Sequence, residues 1–378
     1  MGEPLRVAHV VGKVVLGGVD QVVLNYHKHV DRSRVQFDWF VDGLEPTPLD
    51  DEIQELGGRL VRLPAYDDDL KANLTVFKTA LAEGGYQAVH AHLNTLSVFW
   101  LRQAAKIGVP IRIAHSHSTA ARGEWVRTLP KHLLRPFSRR YATHFMACTE
   151  HAARWLFGER LVDSGKVSVL PNAIELERFS FSDSGRAAVR EDLGLVGRNV
   201  VGHVGRFMYQ KNHEFLVKSF AVVAKRDADA MLLLVGDGEL RKEVEDQVTA
   251  LGLADRVVFT GRRTDVPNLL QSMDVLAFPS RYEGLGMAVI EARATGLPCL
   301  ISEYVPIEPT QHITQVPLEG RSGGSDIWAD NLLAAMREPL DRHITDPSII
   351  PAYDIRAQAP KLTEWYEGVV NALGGETT

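Results

Sequence analysis

Short apolar runs alternate with longer amphipathic runs along nearly the whole 378-residue chain. Several short runs, such as residues 231–235 and 275–278, are apolar at every position, which is typical of parallel strands that helices cover on both faces. The longer runs have apolar residues at helical spacing, so the alternation predicts an α/β fold. With 45% hydrophobic residues the chain can build sizeable cores, which excludes a disordered or fibrous protein.

The alternation stops and restarts once. One series of predicted strands ends just before residue 173, and a new buried strand begins at residue 199 after a polar stretch. We therefore predict two doubly wound, Rossmann-like domains, residues 1–173 and 174–355. Ligands of such sheets bind outside the carboxyl ends of the strands, so two facing domains would form a deep cleft. The last amphipathic run, residues 356–378, is predicted to be a helix that packs back on the first domain.

Charge, cysteine content and hydropathy exclude several classes of protein. The formal net charge of −6 disfavours nucleic-acid binding. Cys148 and Cys299 are the only cysteines, too few for a disulfide framework or for a zinc site of their own. The chain begins without a signal-peptide layout, and no apolar run reaches the ~18 residues that a membrane span needs. These features predict a cytoplasmic protein.

A strand–turn–helix segment at residues 279–292 carries the strongest functional pattern. A buried strand leads into a turn with Glu283, Gly284 and Gly286, and a helix containing Glu291 follows. The glycines let the backbone approach a ligand, and the free N–H groups of the first helical turn favour an anion or hydroxyl groups. Glu291 interrupts an apolar helix, so its carboxylate needs a partner, which ribose hydroxyls would supply. The alternative is a capped helix in which Glu291 pairs with an arginine.

Two cations follow the first strand of the predicted second domain. Arg206 comes directly after Gly205, where the strand ends, and Lys211 lies in the loop that follows. A guanidinium and an ammonium at this position can neutralise a diphosphate. The alternative is two surface charges in an ordinary loop.

A pair of glycines, Gly17 and Gly18, follows the first strand of the chain. Two glycines before a helix are similar to a phosphate-binding turn, but the dinucleotide fingerprint Gly-x-Gly-x-x-Gly is absent. A simple turn explains this pair as well as a phosphate site does.

Four histidines lie in pairs at two predicted strand ends: His90, His92, His115 and His117. Alternation along a strand puts each pair on one face of the sheet. Zinc is one interpretation, but no carboxylate or cysteine completes a familiar ligand spacing. We therefore expect packed, hydrogen-bonded histidines, of which His117 lines the cleft, and no metal.

Residues 122–140 are basic and amphipathic, with six cations against one acid, Glu124. Such a stretch can lie on an anionic membrane surface, which would hold the protein peripherally at the inner face of the cell membrane. An ordinary packed helix with a solvated face is the alternative.

Together these segments resemble the family 4 retaining glycosyltransferases of GT-B fold, and most of all those of capsular and exopolysaccharide biosynthesis. The resemblance covers nearly the whole chain. It rests on Gly17-Gly18-Val19, His117, Pro171-Asn172-Ala173, Gly205-Arg206 with Lys211-Asn212, Gly236-Asp237-Gly238, the Glu283/Glu291 segment, His115-Ser116-His117-Ser118, Ser302-Glu303 with Pro306 and Glu308, and Ile327-Trp328-Ala329.

The resemblance implies that the first domain binds the acceptor and the second binds a nucleotide sugar. It implies that Arg206 and Lys211 hold the diphosphate, that Glu291 binds the ribose, and that Glu283 contacts the donor sugar. The implied catalytic residues are His117, Arg206, Lys211 and Glu283, and the acceptor-side residues are His115, His117 and Asn172. The implied donor-binding residues are Gly17, Gly18, Arg206, Lys211, Gly236, Asp237, Arg262, Glu283, Gly284, Leu285, Gly286, Met287 and Glu291.

The predicted activity is the retaining, metal-independent transfer of a hexosyl unit from a nucleotide-diphosphate sugar to a saccharide acceptor, free or lipid-linked. Family usage favours a UDP-sugar and a role in capsular or exopolysaccharide biosynthesis. No cofactor is expected, because the nucleotide sugar is a substrate and no Asp-x-Asp pair ends a strand. The alternatives are a nucleotide-sugar epimerase of the same fold, a non-catalytic sugar-nucleotide-binding scaffold, and a membrane-surface module that uses residues 122–140.

Overall fold

The chain forms two compact units, each built on one parallel sheet. The computed structural model describes residues 3–14, 18–117, 133–307, 312–318, 324–337, 341–343 and 350–375. The first unit comprises Met1–Glu175 and Ala352–Thr378, and the second comprises Leu176–Pro351. Within the described residues, none of the helices has the length and apolar character needed to cross a membrane. The predicted cleft between the domains stays a prediction.

The first unit contains seven parallel strands in the order β3-β2-β1-β4-β5-β6-β7. β1 pairs with β2 on one side and with β4 on the other, so the strand order reverses there and helices cover both faces. β2 is buried at all eight positions, including its polar residues Gln36, Asp38 and Asp42. The strands are β1 (Leu5–Gly12), β2 (Val35–Asp42), β3 (Leu60–Leu63), β4 (Ala88–Ala91), β5 (Ile111–Ser116), β6 (His144–Ala147) and β7 (Val167–Val169). The helices that follow these strands are α1 (Gly18–His29), α2 (Asp50–Glu55), α3 (Tyr66–Glu83), α4 (Ser97–Lys106), α5 (Glu150–Phe157) and α6 (Glu159–Asp163).

The second unit contains six parallel strands in the order β10-β9-β8-β11-β12-β13. β8 lies at the reversal of strand order, between β9 and β11. The strands are β8 (Asn199–Val204), β9 (Ala230–Val235), β10 (Val257–Gly261), β11 (Val275–Phe278), β12 (Cys299–Ser302) and β13 (Ile313–Val316). The helices of this unit are α7 (Asp183–Asp192), α8 (His213–Arg226), α9 (Arg241–Ala250), α10 (Val266–Ser272), α11 (Met287–Ala294) and α12 (Gly324–Arg337).

The chain returns to the first unit through two final helices, α13 (Ile350–Tyr353) and α14 (Ile355–Gly375). Leu362 and Tyr366 of α14 join the apolar core around β1 and β2. Ile174 N donates to Tyr353 O at 2.9 Å, and Ile355 N donates to Ile174 O at 3.0 Å. These bonds hold the two crossing segments together. The units divide after residues 175 and 351, close to the predicted 173 and 355.

The polar stretch before β8, in which the pattern predicted no element, contains α7. No side chain of α7 is buried, so the helix lacks the apolar face that makes a helix visible in a sequence. Its contacts are polar: Arg190 Nη2 lies 2.6 Å from Asp274 Oδ2, and Arg186 Nη1 donates to Gln271 O at 2.7 Å. Ion pairs and backbone carbonyls therefore hold α7 where apolar packing usually would.

Most of the basic stretch at residues 122–140 lies outside the described residues, as do residues 15–17, including Gly17. In the described part, Arg139 Nη1 donates to Phe157 O at 3.0 Å, and Arg135 lies over the Trp155 ring at 5.8 Å. Two of the cations therefore pack against α5, while Leu133 and Phe137 are exposed.

Candidate active site

Two loops at the carboxyl edge of the second sheet lie backbone against backbone. One follows β8 and contains Gly205 and Phe207, and the other follows β9 and contains Gly236 and Gly238. Phe207 N donates to Asp237 O at 3.0 Å, and a Cβ atom on Gly236 would lie 2.1 Å from Gly205 O. A Cβ atom on Gly238 would lie 2.4 Å from Phe207 O. Only glycine permits this approach, which holds the ends of β8 and β9 side by side.

Replacing Gly236 with alanine is expected to lower the free energy of unfolding by about 3 kcal/mol. The added methyl group would meet the Gly205 carbonyl, and the backbone already holds φ at +138°. Gly252→Ala is the matched control, because Gly252 has φ of +68° with open space around it and adds only backbone strain, about 1 kcal/mol. Urea unfolding of the two variants measures the difference. Equal losses would contradict the close approach of the two loops.

Lys211 and Glu283 form an ion pair at this edge. Lys211 Nζ lies 2.6 Å from Glu283 Oε1, and the two side chains are 16% and 7% exposed. The ammonium also lies 4.5 Å from the centre of the Phe278 ring, at the end of β11. The Lys211 stem lies against Gly205, where a Cβ atom would be 3.3 Å from Lys211 Cδ. A largely desolvated cation is thereby placed where β8 ends, and its charge acts at low dielectric.

The loops that carry this pair are tied together. Arg281 N donates to Gln210 O at 2.8 Å, and Gln210 Nε2 donates to Tyr282 O at 3.0 Å. The Arg281 guanidinium donates to Tyr209 O at 2.7 Å and lies 4.1 Å from the centre of that ring. These bonds fix the backbones on which Lys211 and Glu283 stand.

Glu291 lies inside α11, which is apolar apart from this residue and Arg293. Its carboxylate makes no hydrogen bond or ion pair to another residue that the structure describes. Burial raises its pKa to about 7, and the positive charges of Lys211 and Arg178 oppose the rise. Arg178 therefore attracts Glu291 only from a distance, and the alternative of an arginine ion pair is not seen among these residues. An acceptor without donors beside a cation suits the hydroxyl groups of a ligand.

Arg206 is placed differently from Lys211. Its side chain is 60% exposed, and Nη2 lies 3.3 Å from Glu239 Oε2. No described contact joins Arg206 to Glu283 or Glu291, whereas Lys211 pairs with Glu283 directly. Arg206 is an exposed side chain in the loop after β8, where solvent screens its charge.

The remaining donor-side candidates of the second unit lie along the same edge of its sheet, whereas Gly18 begins α1 in the first unit. Asp237 Oδ1 accepts from Gly238 N at 2.9 Å, and Arg262 is exposed directly after β10. Gly286 takes φ of +91° as the cap of α11, whose N-terminus begins at Met287. Gly284 and Leu285 are buried in the turn between β11 and α11.

In the first unit, buried histidines hydrogen-bond to one another. His92 Nε2 lies 3.0 Å from His9 Nδ1, and His92 Nδ1 lies 2.8 Å from His117 Nε2. His90 Nε2 lies 2.9 Å from His115 Nδ1, and His90 Nδ1 lies 2.6 Å from Tyr366 Oη. Burial lowers the pKa of every histidine in the network, so each is neutral at pH 7.

Two sets of three nitrogens in this network lie within 4.8 Å of one another and could hold a metal ion. One set comes from His9, His90 and His92, and the other from His92, His115 and His117. Other nitrogens of the same rings pair with each other as donors and acceptors, whereas His9 Nε2, His115 Nε2 and His117 Nδ1 are buried without a hydrogen-bond partner among the described residues. The expectation that the protein needs no metal stays a prediction.

The three acceptor-side candidates lie together at the end of β5. The rings of His115 and His117 stack with centroids 3.9 Å apart, and His117 N donates to Asn94 Oδ1 at 2.8 Å. Burial lowers the pKa of His117 to about 4, and the Asn172 side chain opposes that change. At the end of β5, His117 is therefore a neutral hydrogen-bonding group at pH 7.

Comparison with known proteins identifies the family. The family model "Glycosyl transferases group 1" matches residues 186–312, and "Glycosyl transferase 4-like domain" matches residues 17–173. The chain is 34% identical to the glycosyltransferase EpsF of Bacillus subtilis (strain 168). The match extends over 373 residues, which is 96% of each chain. This chain is a glycosyltransferase of that family. The predicted family and activity class are thereby confirmed, and the epimerase and scaffold alternatives are not favoured.

Further relatives agree with this assignment. The glycosyltransferase is 28% identical over 310 residues to the UDP-Gal:alpha-D-GlcNAc-diphosphoundecaprenol alpha-1,3-galactosyltransferase of Escherichia coli, covering 79% of each chain. Anabaena HepE, solved with UDP and glucose, gives a TM-score of 0.74 at 17% identity, over 98% of this chain and 100% of that one. A glycosyltransferase from Rickettsia africae ESF-5 gives 0.76 at 14% identity, over 97% and 99%. These structures confirm the GT-B class with its two Rossmann-like halves.

Several residues that position the glycosyltransferase site escaped the sequence analysis. Phe278 lies beneath the Lys211 ammonium, and Gln210 and Arg281 tie the two loops together. The sequence signal that could have identified Phe278 is its position, directly before the 279–292 segment. His9 lies mid-strand in β1, and nothing in the local pattern separates it from an ordinary core residue.

Proposed function

We propose that this glycosyltransferase moves a hexosyl unit from a UDP-sugar to a lipid-linked saccharide in exopolysaccharide assembly, with retention of configuration and without a metal. The observation that carries the proposal is the Lys211–Glu283 pair beside Glu291 at the carboxyl edge of the second sheet. The E. coli relative named for a UDP-Gal donor and a diphosphoundecaprenol acceptor supports the substrate classes, as does HepE with UDP.

The residues fit the charges that the reaction develops. Breaking the sugar–phosphate bond leaves negative charge on the diphosphate and positive charge on the anomeric carbon. Lys211, the exposed Arg206 and the N–H groups at the start of α11 would stabilise the leaving diphosphate electrostatically. Glu283 would bind hydroxyls of the donor sugar, and Glu291 the hydroxyls of the ribose. The protein thus has its own positive charge for the leaving group, which supports metal independence.

The acceptor is assigned to the first unit. His117 is neutral and would hydrogen-bond the acceptor, with His115 and Asn172 holding its ring in place. Retention would proceed by displacement from the face that the diphosphate leaves, without a covalent intermediate on a side chain. A lipid-linked acceptor would also bring the enzyme to the membrane surface, and the exposed Leu133 and Phe137 among basic residues support that part of the proposal.

A thermal-shift screen followed by a transfer assay tests the proposal. Among UDP-, GDP- and ADP-sugars, a UDP-sugar is expected to raise the unfolding temperature most, since a ligand that binds the folded state stabilises it. Transfer to an undecaprenyl-diphosphate-linked saccharide should then proceed in EDTA and give a product with the donor's anomeric configuration. Preference for another base would overturn the UDP-sugar donor, and inhibition by EDTA would overturn the metal independence. A product with inverted configuration would overturn the retention. Conversion of the donor sugar without acceptor would indicate an epimerase.

A further inference from the structure

The Lys211–Glu283 ion pair joins two groups that the proposed function assigns to opposite halves of the donor. Resting on that function, we propose that donor binding exchanges the partners of this pair: Lys211 leaves Glu283 for the diphosphate, and hydroxyls of the donor sugar take its place on Glu283. Glu283 is then a specificity-determining residue that separates an intact UDP-sugar from spent UDP.

The geometry restricts how the pair can separate. The backbones of the two loops are tied by the Arg281 N to Gln210 O bond and by the Gln210 side chain on Tyr282 O. The loops therefore stay together, and only side-chain rotation can part the ions. Glu283 is 7% exposed, whereas the Lys211 side chain is 16% exposed and its stem has four rotatable bonds, so Lys211 is the partner that moves.

The exchange makes free UDP a poorer ligand than its charge suggests. UDP would draw Lys211 away and bring no sugar hydroxyls to Glu283, so a largely buried carboxylate would lose a cation at 2.6 Å. An intact UDP-sugar would replace that cation with hydroxyl donors. The two halves of the donor are thus coupled through one ion pair, and release of UDP after transfer is favoured because Lys211 returns to Glu283.

Titration calorimetry of Glu283→Gln with UDP, UDP-glucose and UDP-galactose tests the exchange. The variant keeps the side-chain shape and removes the charge that competes for Lys211. We expect its dissociation constant for UDP to fall by about 5- to 150-fold, the usual range of coupling between two sites. The dissociation constants for the two UDP-sugars should not fall, because the amide replaces a carboxylate that their hydroxyls would use.

Glu239→Gln is the matched control. It also removes a carboxylate paired with a cation of this edge, Arg206, but that pair is exposed and 3.3 Å apart. Its effect on UDP binding should be less than about fivefold. A comparable gain in both variants would show general charge repulsion of the nucleotide and would overturn the exchange.

A double variant separates exchange from direct repulsion between Glu283 and the diphosphate. Lys211→Met keeps the stem against Gly205 and removes the ammonium. In that background Glu283→Gln should no longer tighten UDP binding, because no cation remains to be released. A gain of the same size with and without Lys211 would overturn the inference.

The proposed function and the exchange fail in different ways. If the wild-type protein binds neither UDP nor either UDP-sugar, the proposed donor class is wrong, and the exchange falls with it. If the wild-type protein binds them and Glu283→Gln leaves UDP binding unchanged or weakens it, only the exchange is wrong. In that case Glu283 contacts the sugar or positions Lys211 without competing for it.

Discussion

Replacing Lys211 with methionine should lower turnover at least ~10²-fold, the usual cost of one preorganised electrostatic donor to a developing anion. Its side chain is 16% exposed and lies at the end of β8, against Glu283 and the Phe278 ring. A charge in such surroundings is weakly screened, and water cannot replace it. Initial-rate measurements with saturating donor and acceptor give the turnover number.

Lys218→Met is the control for this experiment. Lys218 lies on α8 in the same unit and pairs with Glu214 at 2.5 Å, but both side chains are more than half exposed. Its loss should leave turnover within about twofold, since exposed helical pairs contribute little. Arg206→Ala belongs beside it, because Arg206 shares the proposed diphosphate role from an exposed position. Near-normal turnover in both Lys211→Met and Arg206→Ala would defeat the assignment of these cations to the diphosphate.

Glu291→Gln should make the free protein more stable at pH 8 while weakening its binding of the donor. The raised pKa of about 7 means that folded Glu291 keeps a proton that the unfolded chain, with its ordinary glutamate pKa, has released. Wild-type stability therefore falls as the pH rises from about 4.5 to 7. Glutamine carries no such penalty, so the variant should gain about 3 kcal/mol at pH 8 and nothing at pH 4.5. Urea unfolding across this pH range measures the gain.

Donor binding by the same variant should change in the opposite direction. A carboxylate that accepts hydrogen bonds from ribose hydroxyls is stronger than an amide, so the UDP-sugar should bind roughly 10- to 100-fold more weakly. A gain in stability combined with a loss of affinity marks a residue kept for function. Glu243→Gln, an exposed position on α9, should change neither property. Parallel pH profiles for wild-type and Glu291→Gln proteins would contradict the half-buried carboxylate with a raised pKa.

The positions of Lys211, Glu283 and Glu291 after buried strands marked them as site candidates in the sequence. The same pattern gave Arg206 and Lys211 the same role, binding the diphosphate. Both cations occur in one loop, and no local rule says which of them will be desolvated. Lys211 is separated by 72 residues from the glutamate that holds it, whereas Arg206 remains exposed beside Glu239. The difference depends on how the loops after β8 and β11 are tied together, which a local pattern does not contain.

For the histidines too, the sequence predicted which residues share a face but not which residues they contact. Alternation along the strands predicted that His90 and His92, and likewise His115 and His117, share a face, and it favoured packed histidines over zinc. It did not show that His9 completes the network or that Tyr366, 276 residues from His90, bonds to it. Those contacts arise because β1, β4 and β5 are neighbours in the sheet and α14 returns to cover them.

Patterns within single elements were sufficient for the α/β class, the two-domain organisation and the list of charged residues at the strand ends. They succeed because burial on both faces and turn geometry restrict residue types over a few neighbouring positions. The partner of each charge, the backbone contact between Gly236 and Gly205, and the polar anchoring of α7 came from the folded structure alone. Electrostatic and steric energies depend on distances between atoms, and residues far apart in the chain acquire those distances only when the strands assemble.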